Sequence, residues 1–387
     1  MPGYEIIGQE EQFQLNEIFN KGNGVLFRHG FDNIRNNSYK VQDFEKAFAK
    51  YFKSNFTLAV SSGTAALRVA LAALQIGKND EVITQSFTFV ATVESIIEAG
   101  AKPICTEIDD TLNMDPEDLL LKITDKTKAV IVVHMLGNPA RMREIKNICD
   151  KKNIYLIEDT AWGCGGMLEN KYLGTWGDIG TYSFDFAKTI TTGEGGMLIF
   201  KEEKIFNKAA AWHDHGHENN PKLPRWEDSR SSSGFNYRMS ELQGAVGLAQ
   251  LSKLDYIISS HRMNKKKIWD EIKSINAIDL RSMPEGSNES AEALIFFVEN
   301  SEIAKSCRDE LLINGVGTKI LPEAITWHFA AKWDHMKELS ESHNNKLYKQ
   351  FPNSSELLSR SVSIPINIKM NKSIPIKIKN AILKAVN

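Results

Sequence analysis

The chain has 387 residues, longer than one hydrophobic core usually serves, so two domains or one large domain with a smaller partner are expected. A hydrophobic fraction of 42% and a charged fraction of 25% are those of an ordinary soluble globular protein. The formal net charge of −2 argues against broad attraction to nucleic acid or to an anionic membrane.

The first residues, M-P-G-Y-E-I-I-G-Q-E-E, contain no basic region followed by an apolar one and do not read as a signal peptide. From about residue 57, short apolar runs alternate with longer amphipathic ones. T-L-A-V (57–60) reads as a strand and A-A-L-R-V-A-L-A-A-L (65–74) as a helix. E-V-I-T (81–84) is a second strand, followed by a helical stretch ending at Gly100. K-P-I-C-T-E-I is a third strand, and Asp115 with Pro116 opens the next helix. K-A-V-I-V-V-H (128–134) is made almost wholly of apolar residues, as in a strand buried on both faces, and such runs are too short to span a bilayer. A helix over 141–152 and the strand I-Y-L-I-E-D (154–159) follow.

This alternation predicts a mostly parallel sheet covered by helices, with ligands bound at the carboxyl ends of the strands. Those ends carry Ser61 to Thr64, His134, Glu158 and Asp159. Near residue 251 the pattern changes to a long helix (253–272) and then irregular chain with strand-like 293–298 and 361–366. The expected division is an N-terminal arm over 1–40, a large domain over 41–251 and a smaller α+β domain over 252–387. The lysine-rich end reads as a solvated helix with one core-facing stripe, since it has no aromatic membrane anchors. Cys105, Cys149, Cys164 and Cys307 have no paired spacing and suit buried, reduced thiols in a cytoplasm.

Three sites carry chemistry. S-S-G-T (61–64), between a strand and a helix, offers free N–H groups, a glycine and hydroxyls to a phosphate, although a purely conformational turn has the same composition. Asp159 ends an apolar strand, where a carboxylate is costly unless it meets a cation or caps a helix. Lys188, in S-F-D-F-A-K-T-I-T-T-G-E-G-G-M-L-I-F (183–200), is either a snorkelling surface lysine or an amine whose apolar setting keeps it nucleophilic. Together they make the set that pyridoxal phosphate requires: a phosphate cradle, a partner for the ring nitrogen and an amine for the aldehyde.

S-S-G-T-A-A-L, Q-S-F-T-F-V-A-T, I-E-D-T-A, Y-S-F-D-F-A-K-T-I-T-T-G-E-G-G-M and G-F-N-Y-R-M-S-E-L-Q-G-A-V-G-L-A-Q-L resemble, in order and spacing, the DegT/StrS family of sugar aminotransferases. The resemblance implies the fold-type-I architecture of pyridoxal-phosphate-dependent transferases and a homodimer. It makes Lys188 the residue bonded to the cofactor and the later proton carrier, with Asp159 on the ring nitrogen and Phe89 stacked on the ring. Gly63, Thr64 and Ser183 would hold the phosphate, with Asn236 reaching it from the partner subunit. Lys188 argues against the branch of the family that carries histidine there and acts as a sugar 3-dehydratase. One departure is Trp162, three residues after Asp159, where the family often has Gln or His near the cofactor's phenolic oxygen.

H-D-H-G-H (213–217) invites a metal reading, but no carboxylate or cysteine set completes it, so no metal is expected. His215 is the member most expected to be functional, and His134 is expected to pack near the cofactor. M-P-G-Y-E-I-I-G-Q-E-E (1–11), V-L-F-R-H-G-F-D-N-I-R-N-N-S-Y-K (25–40), D-H-G-H (214–217) and W-H-F-A-A-K-W-D-H-M (327–336) resemble one branch of the family, the 8-amino-3,8-dideoxy-D-manno-octulosonate (8-amino-Kdo) aminotransferases. Such a resemblance implies amination of an acidic sugar for lipopolysaccharide, with glutamate as donor. Arg28 and Arg35 are then candidates for the sugar carboxylate, with surface roles as the alternative, and His328 for the sugar. Arg238 reads as structural. A nucleotide-linked keto sugar is the other substrate class, and a cofactor-binding regulator is disfavoured because every core catalytic position is filled.

Overall fold

The computed structural model describes residues 3–220, 222–323 and 325–386. Strands β1 (Phe56–Val60), β2 (Glu81–Gln85), β3 (Lys102–Thr106), β4 (Thr127–Val133) and β5 (Tyr155–Asp159) alternate with helices. A small hairpin of β6 (Met167–Leu168) and β7 (Lys171–Tyr172) precedes β8 (Ile179–Ser183) and β9 (Gly196–Phe200). Four strands follow, β10 (Asp279–Leu280), β11 (Ser287–Asn288), β12 (Ala293–Phe297) and β13 (Ser361–Pro365).

The seven-stranded sheet has the order β1-β9-β8-β5-β4-β2-β3. The pairs β2–β3, β2–β4, β4–β5 and β5–β8 are parallel, and β9 runs antiparallel to both β8 and β1. In β4, Ala129 and Ile131 join the core under helices Gly63–Ala73 and Glu203–Trp212, whereas Val130 and Val132 join the core under Pro116–Lys122 and Met142–Lys152. This two-sided burial is why the strand is apolar at every position from Ala129 to Val133 instead of alternating.

Local chemistry sets the helix starts that matter. Ser62 Oγ accepts the Ala65 N–H at 3.0 Å and caps Gly63–Ala73, and Asp115 accepts the Glu117 N–H at 2.9 Å ahead of Pro116.

The C-terminal part forms an antiparallel sheet in the order β10-β12-β13, packed against helices Leu254–Ile272, Ser301–Ile313 and Ile374–Val386. Ile378, Ala381 and Ile382 of the last helix are buried in that core, with its lysines outward. Packing does not follow the boundary expected at residue 252 throughout. Trp333, Leu347 and Phe351 belong to a core with Phe87, Val133 and Met135 of the large sheet side, so the chain from about 320 to 358 returns to the first domain. All four cysteines are buried and free. No helix among the described residues is long and apolar enough to cross a membrane.

Candidate active site

β5 and β8 are adjacent and parallel, so Asp159 and Ser183 arrive at the same carboxyl edge, facing the helix that follows β1. A cavity of about 370 Å³ opens there, lined among others by Gly63, Thr64, Phe89, Asp159, Ser183, Lys188 and His328. Seven residues scattered over 63–328 in sequence thus share one wall system.

Asp159 is held in place by two donors, the Ala161 N–H to Oδ1 at 3.1 Å and the Thr92 hydroxyl to Oδ2 at 3.1 Å. Thr92 is itself hydrogen-bonded to Thr88 at 2.8 Å. Burial pushes the Asp159 carboxyl above its ordinary value, opposed by the Ala161 N–H, the Lys188 charge and the Thr92 hydroxyl. A cation at the free side of this carboxylate would offset that desolvation.

Lys188 is 9% exposed and its Nζ lies 3.4 Å from the Trp162 ring centroid. Burial lowers it to about 8; Glu292 and Asp159 pull the other way, and Lys319 adds to the lowering. An amine in that range is available unprotonated near neutral pH, as a carbonyl-bonding lysine must be.

The helix Gly63–Ala73 points its N-terminus into the cavity, and the first N–H groups of a helix have no partner within it. Gly63 lies tight against β8: a Cβ there would sit 2.6 Å from Ser183 Cβ. Its absence lets the Ser183 hydroxyl and the helix start approach one another. An anion cradle, a buried carboxylate short of a cation, a low-pKa amine and the half-exposed Phe89 ring fit pyridoxal phosphate in donor type and charge.

His328 is anchored on the far wall. Its carbonyl accepts the Thr88 N–H at 2.9 Å, and its ring lies 5.4 Å from that of Phe89. His134 sits behind the site, bonded through Nε2 to Glu158 at 3.0 Å, while its Nδ1 accepts the Ala140 N–H.

Four expected site residues lie outside this cavity. Arg35 is 1% exposed, paired with Glu241 at 2.9 Å, and donates to the carbonyls of Ser38 and Phe27. Its donors are spent within the fold, which corrects its expected role with a substrate carboxylate. Arg28 is likewise engaged, by Glu45 at 2.6 Å and the Ala59 carbonyl at 3.0 Å, but it borders a separate, larger groove. Asn236 and His215 are exposed and lie outside the cavity, on either side of a bridge in which Asn236 pairs with Asp214 and the His215 N–H donates to the Phe235 carbonyl at 3.2 Å.

Asp214 organises this second region. Burial alone would raise its carboxyl, but a bidentate bond from Arg225 at 2.6 and 2.9 Å, with His29 and Arg238, holds it at about 2. Arg238 is structural in this sense. The H-D-H-G-H run is dispersed: His213 is buried and pushed down to about 3, His215 faces outward and His217 meets Asp228 at 3.2 Å. Among the described residues, no group of three or more metal-type side chains is placed to hold an ion.

Thr88 precedes the helix Val90–Glu98 and Thr92 lies in its first turn, and their hydroxyls meet across the helix start, a contact that their sequence spacing alone does not announce. Glu292 and Lys319 carry no sequence signal either, because they reach the site from the C-terminal sheet.

The sequence profile of the DegT/DnrJ/EryC1/StrS aminotransferase family matches residues 31–382. The GDP-perosamine synthase of Escherichia coli O157:H7 is 35% identical over 283 residues, 73% of this chain and 74% of that protein. The GDP-perosamine synthase of Vibrio cholerae is 40% identical over 223 residues, 57% of this chain and 59% of the relative's length. An aminotransferase structure from Psychrobacter cryohalolentis superposes with a TM-score of 0.86 at 26% identity, covering 98% of this chain and 97% of that one.

Proposed function

The chain belongs to the DegT/DnrJ/EryC1/StrS family and is a pyridoxal-phosphate-dependent sugar aminotransferase, and from that premise we propose that it aminates 8-oxo-Kdo to 8-amino-Kdo, with glutamate as donor. The single observation that carries the transfer chemistry is the convergence of Lys188, Asp159 and the helix start at Gly63 on one cavity. The substrate reading rests on the segments at 1–11, 25–40, 214–217 and 327–336 and their resemblance to enzymes of that specificity.

When bound, the cofactor supplies an aldehyde that carries the amino group and a ring that withdraws electrons. The protein's own residues do the rest. Asp159 holds a proton on the ring nitrogen, and Thr92 and Ala161 keep its carboxylate aimed. The N–H groups at Gly63 and Thr64, with the Ser183 hydroxyl, bind the phosphate. Lys188 Nζ takes and returns the proton at the substrate carbon, for which an amine near 8 is well matched to neutral pH. Phe89 and His328 face the substrate side.

Arg225 and Arg238, like Arg35, are engaged within the fold, on Asp214. Asn236, exposed beside them, is the group we assign to the partner subunit's cavity in a homodimer. A second substrate class, a nucleotide-linked keto sugar, is favoured by one observation: the two relatives reported above are both named GDP-perosamine synthase.

The deciding experiment follows the visible absorbance of cofactor-loaded protein as amino sugars are added, with glutamate as control. Loss of the band with 8-amino-Kdo, and not with GDP- or dTDP-linked amino sugars, is expected. The reverse pattern would transfer the enzyme to nucleotide-sugar chemistry.

A further inference from the structure

Trp162 stands where the family pattern often has a polar side chain, and nothing in the transfer chemistry above uses it. Its indole forms part of the cavity wall and is 8% exposed, and its carbonyl is held by the Ser290 hydroxyl at 2.9 Å. Two ammonium groups address the same ring, Lys188 Nζ at 3.4 Å and Lys319 Nζ at 4.6 Å from the centroid.

Two like charges around one indole need a counter-charge. Glu292, whose side chain is fully buried, places Oε2 3.1 Å from Lys319 Nζ. Its other oxygen accepts the hydroxyl of Thr189, the residue after Lys188. The contacts therefore close on themselves, from Lys188 through Thr189, Glu292, Lys319 and Trp162 back to Lys188. Lys319 is fixed from behind, since its N–H donates to the Ser363 carbonyl of β13 at 2.8 Å. The backbone is forced on both sides of the pair: Ala291 has φ +57° and Ile320 has φ +74°, the latter costly for a β-branched residue. Such strain is retained where a side chain must be delivered to a particular point.

We propose that Trp162 and Lys319 are positioning residues for Lys188: the indole face is the resting place of the free lysine side chain, and Lys319, anchored by Glu292, confines it there. The proposal rests on the reading that Lys188 is the amine that bonds the cofactor. Amino transfer releases this lysine in each half-cycle. A long flexible side chain set free in a cavity must be kept within reach, which the flat ring does, and mostly unprotonated, which the second cation does by opposing its charged form.

The charged groups facing Lys188 are Glu292, Asp159 at the end of β5, Lys319 and Asp185 on its own turn. Glu292 and Lys319 act on it with opposite signs, which makes the test directional.

Cofactor-free protein is mixed with pyridoxal phosphate, and the rate of appearance of the visible band is followed against pH. For the natural chain the rate rises through a midpoint near 8, the value burial sets for Lys188. Lys319→Met is expected to raise the midpoint by about one pH unit and Glu292→Gln to lower it by about one, the size a partly shielded neighbouring charge imposes. Lys319→Arg leaves the midpoint in place. Trp162→Gln lowers the plateau rate at high pH, where charge no longer matters, and Trp162→Phe restores it. Melting curves report folding; should Lys319→Met not fold, the isosteric Glu292→Gln and Lys319→Arg decide alone. Midpoints that do not move, or that move the same way in Lys319→Met and Glu292→Gln, overturn the inference. If the natural chain captures no cofactor, or Lys188→Ala captures it equally well, the underlying assignment of Lys188 fails instead.

Discussion

Gly63→Ala tests the phosphate cradle. The added Cβ would sit 2.6 Å from Ser183 Cβ, 2.9 Å from its Oγ and 3.3 Å from its Cα. Carbon atoms in ordinary contact stand about 3.5–4.0 Å apart, so the helix start and β8 must separate by roughly 1 Å. Ser183 cannot yield, because it is paired with Gly196 of β9 at the end of a central strand. The helix must yield instead. Overpacking of this kind costs about 1–3 kcal/mol, of which the better helix propensity of alanine returns at most about 1 kcal/mol. The larger effect falls on the anion. Moving the first N–H groups by about 1 Å forfeits at least one hydrogen bond to a charged group, about 1.5–3 kcal/mol, or roughly 10- to 100-fold in affinity. The assay is a fluorescence titration of cofactor-free protein with pyridoxal phosphate in a Lys188→Ala background, which removes the covalent contribution, alongside a melting curve. Adding Ser183→Gly removes the clashing atoms and should restore the melting temperature without fully restoring affinity. Unchanged affinity and unchanged melting in Gly63→Ala would refute the cradle.

Lys188→Ala should abolish turnover while the melting temperature of the cofactor-free protein holds or rises, since a buried amine is removed; full activity in the purified variant would end its role. Asp159→Asn should weaken cofactor binding and turnover by about 100-fold or more, as expected when one partner of a buried charge pair is lost, checked by titration and steady-state rates. Arg35→Met should destabilise the fold by about 3–5 kcal/mol, read in a denaturant melt, because it leaves Glu241 buried without its cation. The KM for the sugar in the folded fraction should stay the same; a selective rise in KM would return Arg35 to the substrate.

The parts of the site visible in the sequence are those whose chemistry is local. A strand end, a turn and a helix start lie within a few residues at Ser61 to Thr64, Asp159 closes an apolar strand, and Lys188 is the one lysine of its segment. Strand and helix alternation up to residue 159 was legible for the same reason. What escaped depends on distant segments. Arg35 sits in a polar run that looks like a surface loop, and becomes interior only because Glu241, roughly 200 residues later, packs over it. Glu292 and Lys319 are ordinary charges in their own segments, and matter through β12, β13 and the backbone turns beside them. The return of residues 320–358 to the large sheet carries no periodic signal, because that stretch is short 3₁₀ turns and brief helices.

The position of β9 has a consequence for synthesis on the ribosome. β1 stands at the edge of the large sheet, and its sheet neighbour is β9, whose last residue is Phe200. When β2 to β5 have emerged, they can assemble side by side, but the first strand cannot. From Phe56 to Val60 it waits, mostly apolar and without its one sheet neighbour, until about 140 further residues have been translated. Contacts of such long sequence separation form late. A ribosome stalled between β8 and β9 would therefore hold out a sticky, half-built sheet, and this interval is where the nascent chain most needs a chaperone.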